Sequence, residues 1–278
     1  MANNIGSQAF FLQANPGTRF AIYHAPLTTS HRGGVLFVPP FAEEMNKSRR
    51  MSALQARAFA MAGYAVLRID LYGCGDSSGD FGDARWEVWK ADLAMAADWL
   101  AERVSGPLHL WGLRLGAGLS LDVWRDQPTR FASALLWQPV INGEVFMTQF
   151  LRLAVAGVAL RDTHGLLTTE MLRRRLHAGE AIEVAGYELS PVLAAAIDRQ
   201  KLADFIIPDA KVHWLDVRND RSSEPPPAAQ RVLDVWRSSG MRASYEAVGG
   251  DHFWGTQEIA ECPVLISASM ARYEVHLP

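Results

Sequence analysis

The sequence predicts an α/β fold with a mostly parallel central sheet flanked by helices and an inserted segment in its second half. Three observations carry this. Apolar runs such as GGVLFVPP and YAVLRIDL are continuous rather than alternating, as strands buried on both faces require. Stretches with helical spacing separate them. One glycine-rich run, PLHLWGLRLGAG, turns an apolar strand directly into a helix start.

In chain order, GGVLFVPP is a strand closed by prolines. Met51, Leu54, Ala58 and Met61 then mark a helix that Gly63 stops. YAVLRIDL is the next strand, and YGCGDSSGDFG is a loop whose glycines and small polar residues break regular structure. Trp86, Trp89, Leu93, Ala96 and Leu100 form one face of a long helix. PLHLWG and FASALLWQP are further strands, with the glycine-rich turn and its helix between them. Strand and helix in alternation predict parallel strands joined by right-handed crossovers. The rhythm breaks from Glu144 to Phe205, which contains an apolar helix, the basic run MLRRRLH and the hairpin-like EAIEVAGYELS. Residues 1–143 and 206–278 are therefore assigned to the core, and 144–205 to a cap or lid. AKVHWLDV resumes the pattern, Ala229, Val232, Leu233 and Trp236 face inward from a helix, ASYEAVGGDHFW gives a last strand and loop, and a closing helix begins at Pro263.

The 278 residues are 49% hydrophobic, enough for a substantial core. Lys and Arg total 27 against 30 Asp and Glu, and the net charge of -3 makes no electrostatic case for nucleic acid or an anionic membrane. The expected partner is a small acyl or anionic molecule; oligomeric state is not legible. Cys74 and Cys262 stand far apart without ligand companions, which predicts neither a disulfide framework nor a metal site and suits a reducing cytoplasm. No cofactor motif is present. MANNIGSQAF has neither the basic nor the apolar part of a signal peptide. The most apolar window, Val145 to Leu160, is short for a membrane span and carries Arg152.

The turn in WGLRLGAG has the spacing of the G-x-S-x-G nucleophile elbow, with Arg114 at the serine position. Together with the strand order, the inserted segment and a late GGDHFW, it resembles the α/β-hydrolase superfamily over nearly the whole chain. More narrowly, PPFAEEMNKSRRM, LYGCGDSSG, WGLRLGA and GGDHFW look like the second type of exosortase A system-associated hydrolase. That resemblance implies a cytoplasmic accessory protein of a bacterial exosortase and exopolysaccharide system, with an inferred hydrolase activity. The superfamily order of nucleophile, acid and histidine carries over onto Arg114, Asp220 and His252. Asp216 and Glu144 are alternatives for the acid.

A guanidinium cannot accept an acyl group as a nucleophile, because its lone pairs are delocalised and it stays protonated in proteins. Arg114 is then either an ion-pair member, with Glu43 or Glu44, or a ligand anchor. VPPFAEE occupies the place where such hydrolases supply half of an oxyanion hole; Pro39 and Pro40 lack the donor, so the resemblance implies the N–H of Phe41 or Ala42, with that of Leu115 as the second half. Asn46, Lys47 and Arg49 are expected at the rim. Cys74 reads as a turn residue rather than a nucleophile, Ser120 lies beyond the elbow in its helix, and Asp70, Asp76 and Ser77 read as loop-fixing groups. Trp111, Trp137 and Trp254 read as core or pocket wall.

Overall fold

The computed structural model describes residues 6–29, 31–159, 167–219 and 223–274. Two strands, β1 (Ser7–Gln13) and β2 (Thr18–His24), form an antiparallel hairpin that the sequence reading did not anticipate. β1 is mostly exposed, β2 is buried to half-buried, and both carry mixed polar and apolar residues, so no continuous apolar run announces them. The remaining sheet strands are β3 (Gly33–Val38), β4 (Tyr64–Ile69), β5 (Leu108–Leu113), β6 (Phe131–Trp137), β9 (Lys211–Arg218) and β10 (Arg242–Gly249). The eight strands run in the order β1-β2-β4-β3-β5-β6-β9-β10, with β2 antiparallel to β4 and every pairing from β4 to β10 parallel.

Alternate residues of each central strand point to opposite layers. Leu36 and Val38 join one core with α2 (Trp86–Ala101) and α3 (Leu115–Asp126). Val35 and Phe37 join the other with α1 (Glu43–Met61) and α8 (Pro263–Glu274). Five tryptophans, Trp111, Trp124, Trp137, Trp214 and Trp236, are among the largest fully buried side chains. The edge hairpin is pinned by a buried pair: Arg19 Nε lies 2.7 Å from Asp92 Oδ1, and Asp92 Oδ2 accepts the Tyr72 N–H at 2.8 Å.

Between β6 and β9 lie α4 (Gly143–Ala159), α5 (Thr169–His177), the hairpin β7 (Ile182–Val184) and β8 (Tyr187–Leu189), and α6 (Pro191–Asp198). Thr168 and Ser190 cap α5 and α6 by accepting main-chain N–H groups, and Pro191 opens α6. The helix α7 (Pro227–Ser238) follows β9 and buries Ala229, Val232, Leu233 and Trp236. Among the described residues, no helix is long and apolar enough to cross a membrane.

Candidate active site

Two turns side by side build the floor of the site at the carboxyl edge of the parallel strands, where open α/β sheets bind ligands. After β5 the chain passes through Arg114 at φ 56, ψ -119 and enters α3. After β3 it passes through Ala42 at φ 48, ψ -124 and enters α1. Both are non-glycine residues in a region that side chains rarely occupy. The neighbouring glycines explain how the first turn is tolerated. A Cβ on Gly112 would stand 2.5 Å from Ala117 Cα, and one on Gly116 would stand 2.3 Å from Pro39 O. The second figure also shows that the two turns are packed backbone against backbone.

This tight turn presents the Arg114 side chain at the sheet edge. Arg114 Nε donates to Glu44 Oε1 at 3.0 Å, and Nη1 reaches Gln138 O at 3.4 Å. Its guanidinium lies 5.5 Å from the Trp254 ring centroid and 5.8 Å from that of Phe146. Glu44 is buried, and its Oε2 has no hydrogen-bond partner. Burial pushes the Glu44 carboxyl up from its ordinary value, while the charge and hydrogen bond of Arg114 pull it down. Glu43, half-buried beside it, is also pushed up by burial, against its own backbone N–H, Lys47 and Arg114. Both carboxylates occupy the first turn of α1, where the helix dipole favours negative charge.

Phe41 and Leu115, the expected oxyanion-hole residues, line one small apolar cleft together with Pro40, Leu119 and Cys74. The Phe41 ring is locked by edge-on contacts with Phe81, Trp89, Phe146 and Phe150. A second cleft of about 300 Å³ opens on Arg114 and is walled by Val140, Ile141, Asn142, Phe146 and Gln149.

His252 is exposed, places its Nε2 2.9 Å from Val217 O, and stacks on Trp254 with ring centroids 5.0 Å apart. Among the described residues no hydrogen bond joins it to Arg114; the buried Trp254 indole touches both. Asp220 lies outside the described residues. Asp216 is buried at the end of β9 and senses the charge of Arg114, but its oxygens accept Trp214 Nε1 at 2.6 Å and Tyr245 Oη at 3.0 Å. Burial pushes its carboxyl up. Glu144 is displaced from this edge: it is exposed at the start of α4, in a surface groove with Glu170, Arg173 and Asp198. An acid just after β6 had fitted the superfamily order; α4 begins immediately at Gly143 and carries Glu144 away with its first turn.

Gln138 was missed by sequence reading. At φ 44 it donates its N–H to Leu215 O, accepts the Val217 N–H on Oε1 and offers its carbonyl to Arg114, tying β6, β9 and the elbow together. Its only signal was its place at a strand end before Pro139. Cys74 is half-buried, and desolvation pushes its thiol up, opposite to the shift a reactive thiolate needs. Ser120 is buried and donates to Ala117 O at 2.7 Å. Ser77 Oγ donates to Asp70 O and accepts the Phe20 N–H, fixing the loop to β2. Among the described residues no cluster of three or more His, Cys, Asp or Glu side chains is placed to hold a metal ion.

Comparison with known families is decided by the first two thirds of the sequence. The profile of the family described as serine aminopeptidase, S33 matches residues 29–183, more than half of the chain. The chain belongs to this family. A bovine relative, the mitochondrial palmitoyl-protein thioesterase ABHD10 of Bos taurus, is 29% identical over 123 residues, which cover 44% of this chain and 38% of the relative. The chain thus matches well under half the length of that protein. Among solved structures, ferulic-acid-bound Est1E from Butyrivibrio proteoclasticus superposes with a TM-score of 0.68 at 15% identity, covering 97% of this chain and all of the other. Mouse alpha/beta hydrolase domain-containing protein 10 gives 0.58 at 17% identity, covering 96% and 98%. These likenesses show the α/β-hydrolase fold.

Proposed function

We propose that this member of the family takes an ester, thioester or similar acyl compound in the Arg114 cleft and hydrolyses it by water attack, without an acyl-enzyme, as a cytoplasmic accessory of a bacterial exosortase and exopolysaccharide system. One observation carries the mechanistic part. The strained turn that holds a serine nucleophile in the superfamily holds Arg114 here, neutralised by Glu44 at 3.0 Å. A guanidinium so held orients and stabilises charge but forms no acyl bond. The thioesterase named among the relatives supports the acyl class.

In this reading His252 takes a proton from water as the water oxygen attacks the acyl carbon. The N–H groups of Phe41 and Leu115 receive the resulting oxyanion, and Asp220 supports the charged imidazole. Collapse expels the thiolate or alkoxide, which takes the proton from His252 and leaves as the thiol or alcohol, with the carboxylic acid as the other product. Residues 144–205 act as the cap. The contact of His252 Nε2 with the Val217 carbonyl favours a second reading, in which the cleft binds its ligand without turnover because that nitrogen is already engaged.

Slow hydrolysis of a small thioester by purified protein should vanish in His252→Ala, and a fluorophosphonate probe should label no serine. Absence of turnover at any pH leaves the binding reading, and stoichiometric serine labelling overturns both. The reverse test is Arg114→Ser combined with Glu44→Ala: this variant should gain probe labelling if His252 keeps working geometry.

A further inference from the structure

Under the edge hairpin, on the α1 side of the sheet, lies a cationic cleft that the hydrolase reading leaves unused. Register places its strand residues together. Ile22 pairs with Arg68 and Phe37 with Arg68 on the other side, so these side chains share one face of the sheet, on which His24, paired with Val66, is the next neighbour beyond the cleft. Met45, Arg49 and Ser52 of α1 pack over that face at helical spacing and close the cleft with Asp70.

The charges do not balance. Arg68 stands among Arg49, Arg57 and one carboxylate, Asp70, and the His24 ring is near Arg68 and Arg57. That carboxylate is already committed: its Oδ2 accepts Arg49 Nη2 and the Asp76 N–H, each at 3.2 Å. Arg68 makes no hydrogen bond or salt bridge among the described residues, and its Nε is buried without a partner. Both ring nitrogens of the buried His24 are also unpartnered. Ser52 offers no further acceptor charge; its hydroxyl donates to Arg49 O at 3.0 Å. Burial and the neighbouring arginines push Arg68 down to about 10 and His24 down to about 4. A buried guanidinium nitrogen without an acceptor, beside two further arginines, is costly unless something negative joins it.

We infer that this cleft binds a small oxyanion of the phosphate class between Arg68 and Arg49. Guanidinium groups suit this ligand because their planar N–H forks match tetrahedral oxyanions. Arg49, 36% exposed, is the solvent-facing wall through which the ion enters. Pro39 and Met45 line both this cleft and the apolar cleft of Phe41 and Leu115, so the two clefts adjoin. The inference is independent of turnover at the elbow, and its test measures binding alone.

Isothermal titration of the purified full chain with inorganic phosphate, at ionic strength held constant with chloride, should show one site. Arg68→Met should weaken it at least tenfold, and Arg68→Lys less. Thermal melts should show phosphate raising the Tm of the native chain but not of Arg68→Met, whose own Tm reports whether it folds. His24 ring signals in the native chain, read by NMR, should move with phosphate and not with chloride. Phenyl phosphate binding more tightly than phosphate assigns the site to the phosphoryl group of a larger molecule, and equal affinity assigns it to the free ion. No phosphate binding by the native chain, equal binding by Arg68→Met, or saturation without movement of His24 overturns the proposal.

Discussion

Glu43 and Glu44 sit next to each other at the start of α1, and only one of them has a guanidinium in hydrogen-bond contact. Glu43 is the expendable member. Its folded carboxyl is raised above the unfolded value by burial, so the folded chain holds that proton to higher pH and stability falls as pH rises through the interval. Glu43→Gln should therefore raise the Tm near pH 7 by roughly 1–3 °C, with the difference vanishing once the pH drops below the ordinary carboxylate range, as melts across pH would show. Asp216 responds in the opposite sense to removal. It is the acceptor for the buried Trp214 indole and for the half-buried Tyr245, and Asp216→Ala leaves the indole N–H unpaired at about 1–3 kcal/mol. Chemical denaturation should register that loss. The Arg114–Glu44 contact was legible because short-range motifs and strand ends place the two residues. Gln138 was not legible, since its function comes from contacts to Leu215 and Val217, about eighty residues away, that no local pattern encodes.

At the scale of elements, the glycines that follow the Arg114 turn are distinguished by what they touch. Gly116 faces Pro39 O, main chain that cannot step aside, whereas a Cβ on Gly118 would meet only Phe205 Cε2 at 3.6 Å, ordinary van der Waals contact. Gly116→Ala should destabilise the fold by more than about 3 kcal/mol, at the upper end for point substitutions. Gly118→Ala, in the interior of α3, should stabilise it by about 0.5–1 kcal/mol. Equilibrium unfolding of the two variants side by side measures the contrast, and a similar outcome for both would refute the packed-turn description. The central parallel strands β3 to β6 and their helices were readable because these strands are largely buried on both faces and carry apolar runs. The β1–β2 hairpin was not: at an exposed sheet edge the alternation is diluted by Ser7, Gln8, Thr18 and Arg19, and the pairing with β4 is long-range.

For the molecule as a whole, the antiparallel edge is joined to the helical layer through Arg19 and Asp92, both almost wholly inaccessible to solvent. Removing one partner strands the other charge in the core. Asp92→Ala should cost about 3–5 kcal/mol, and hydrogen exchange should show β1 and β2 losing protection ahead of the central strands. The Arg114–Glu44 pair has a different consequence, which concerns paths between sequences. Replacing Arg114 alone with serine isolates the buried Glu44 carboxylate in the first turn of α1; replacing Glu44 alone isolates the guanidinium on its strained turn. Each single step is penalised while the joint step is not, so the two positions act as a ratchet. A chain that carries both residues can exchange the pair only by two substitutions, the first of which lowers folding stability.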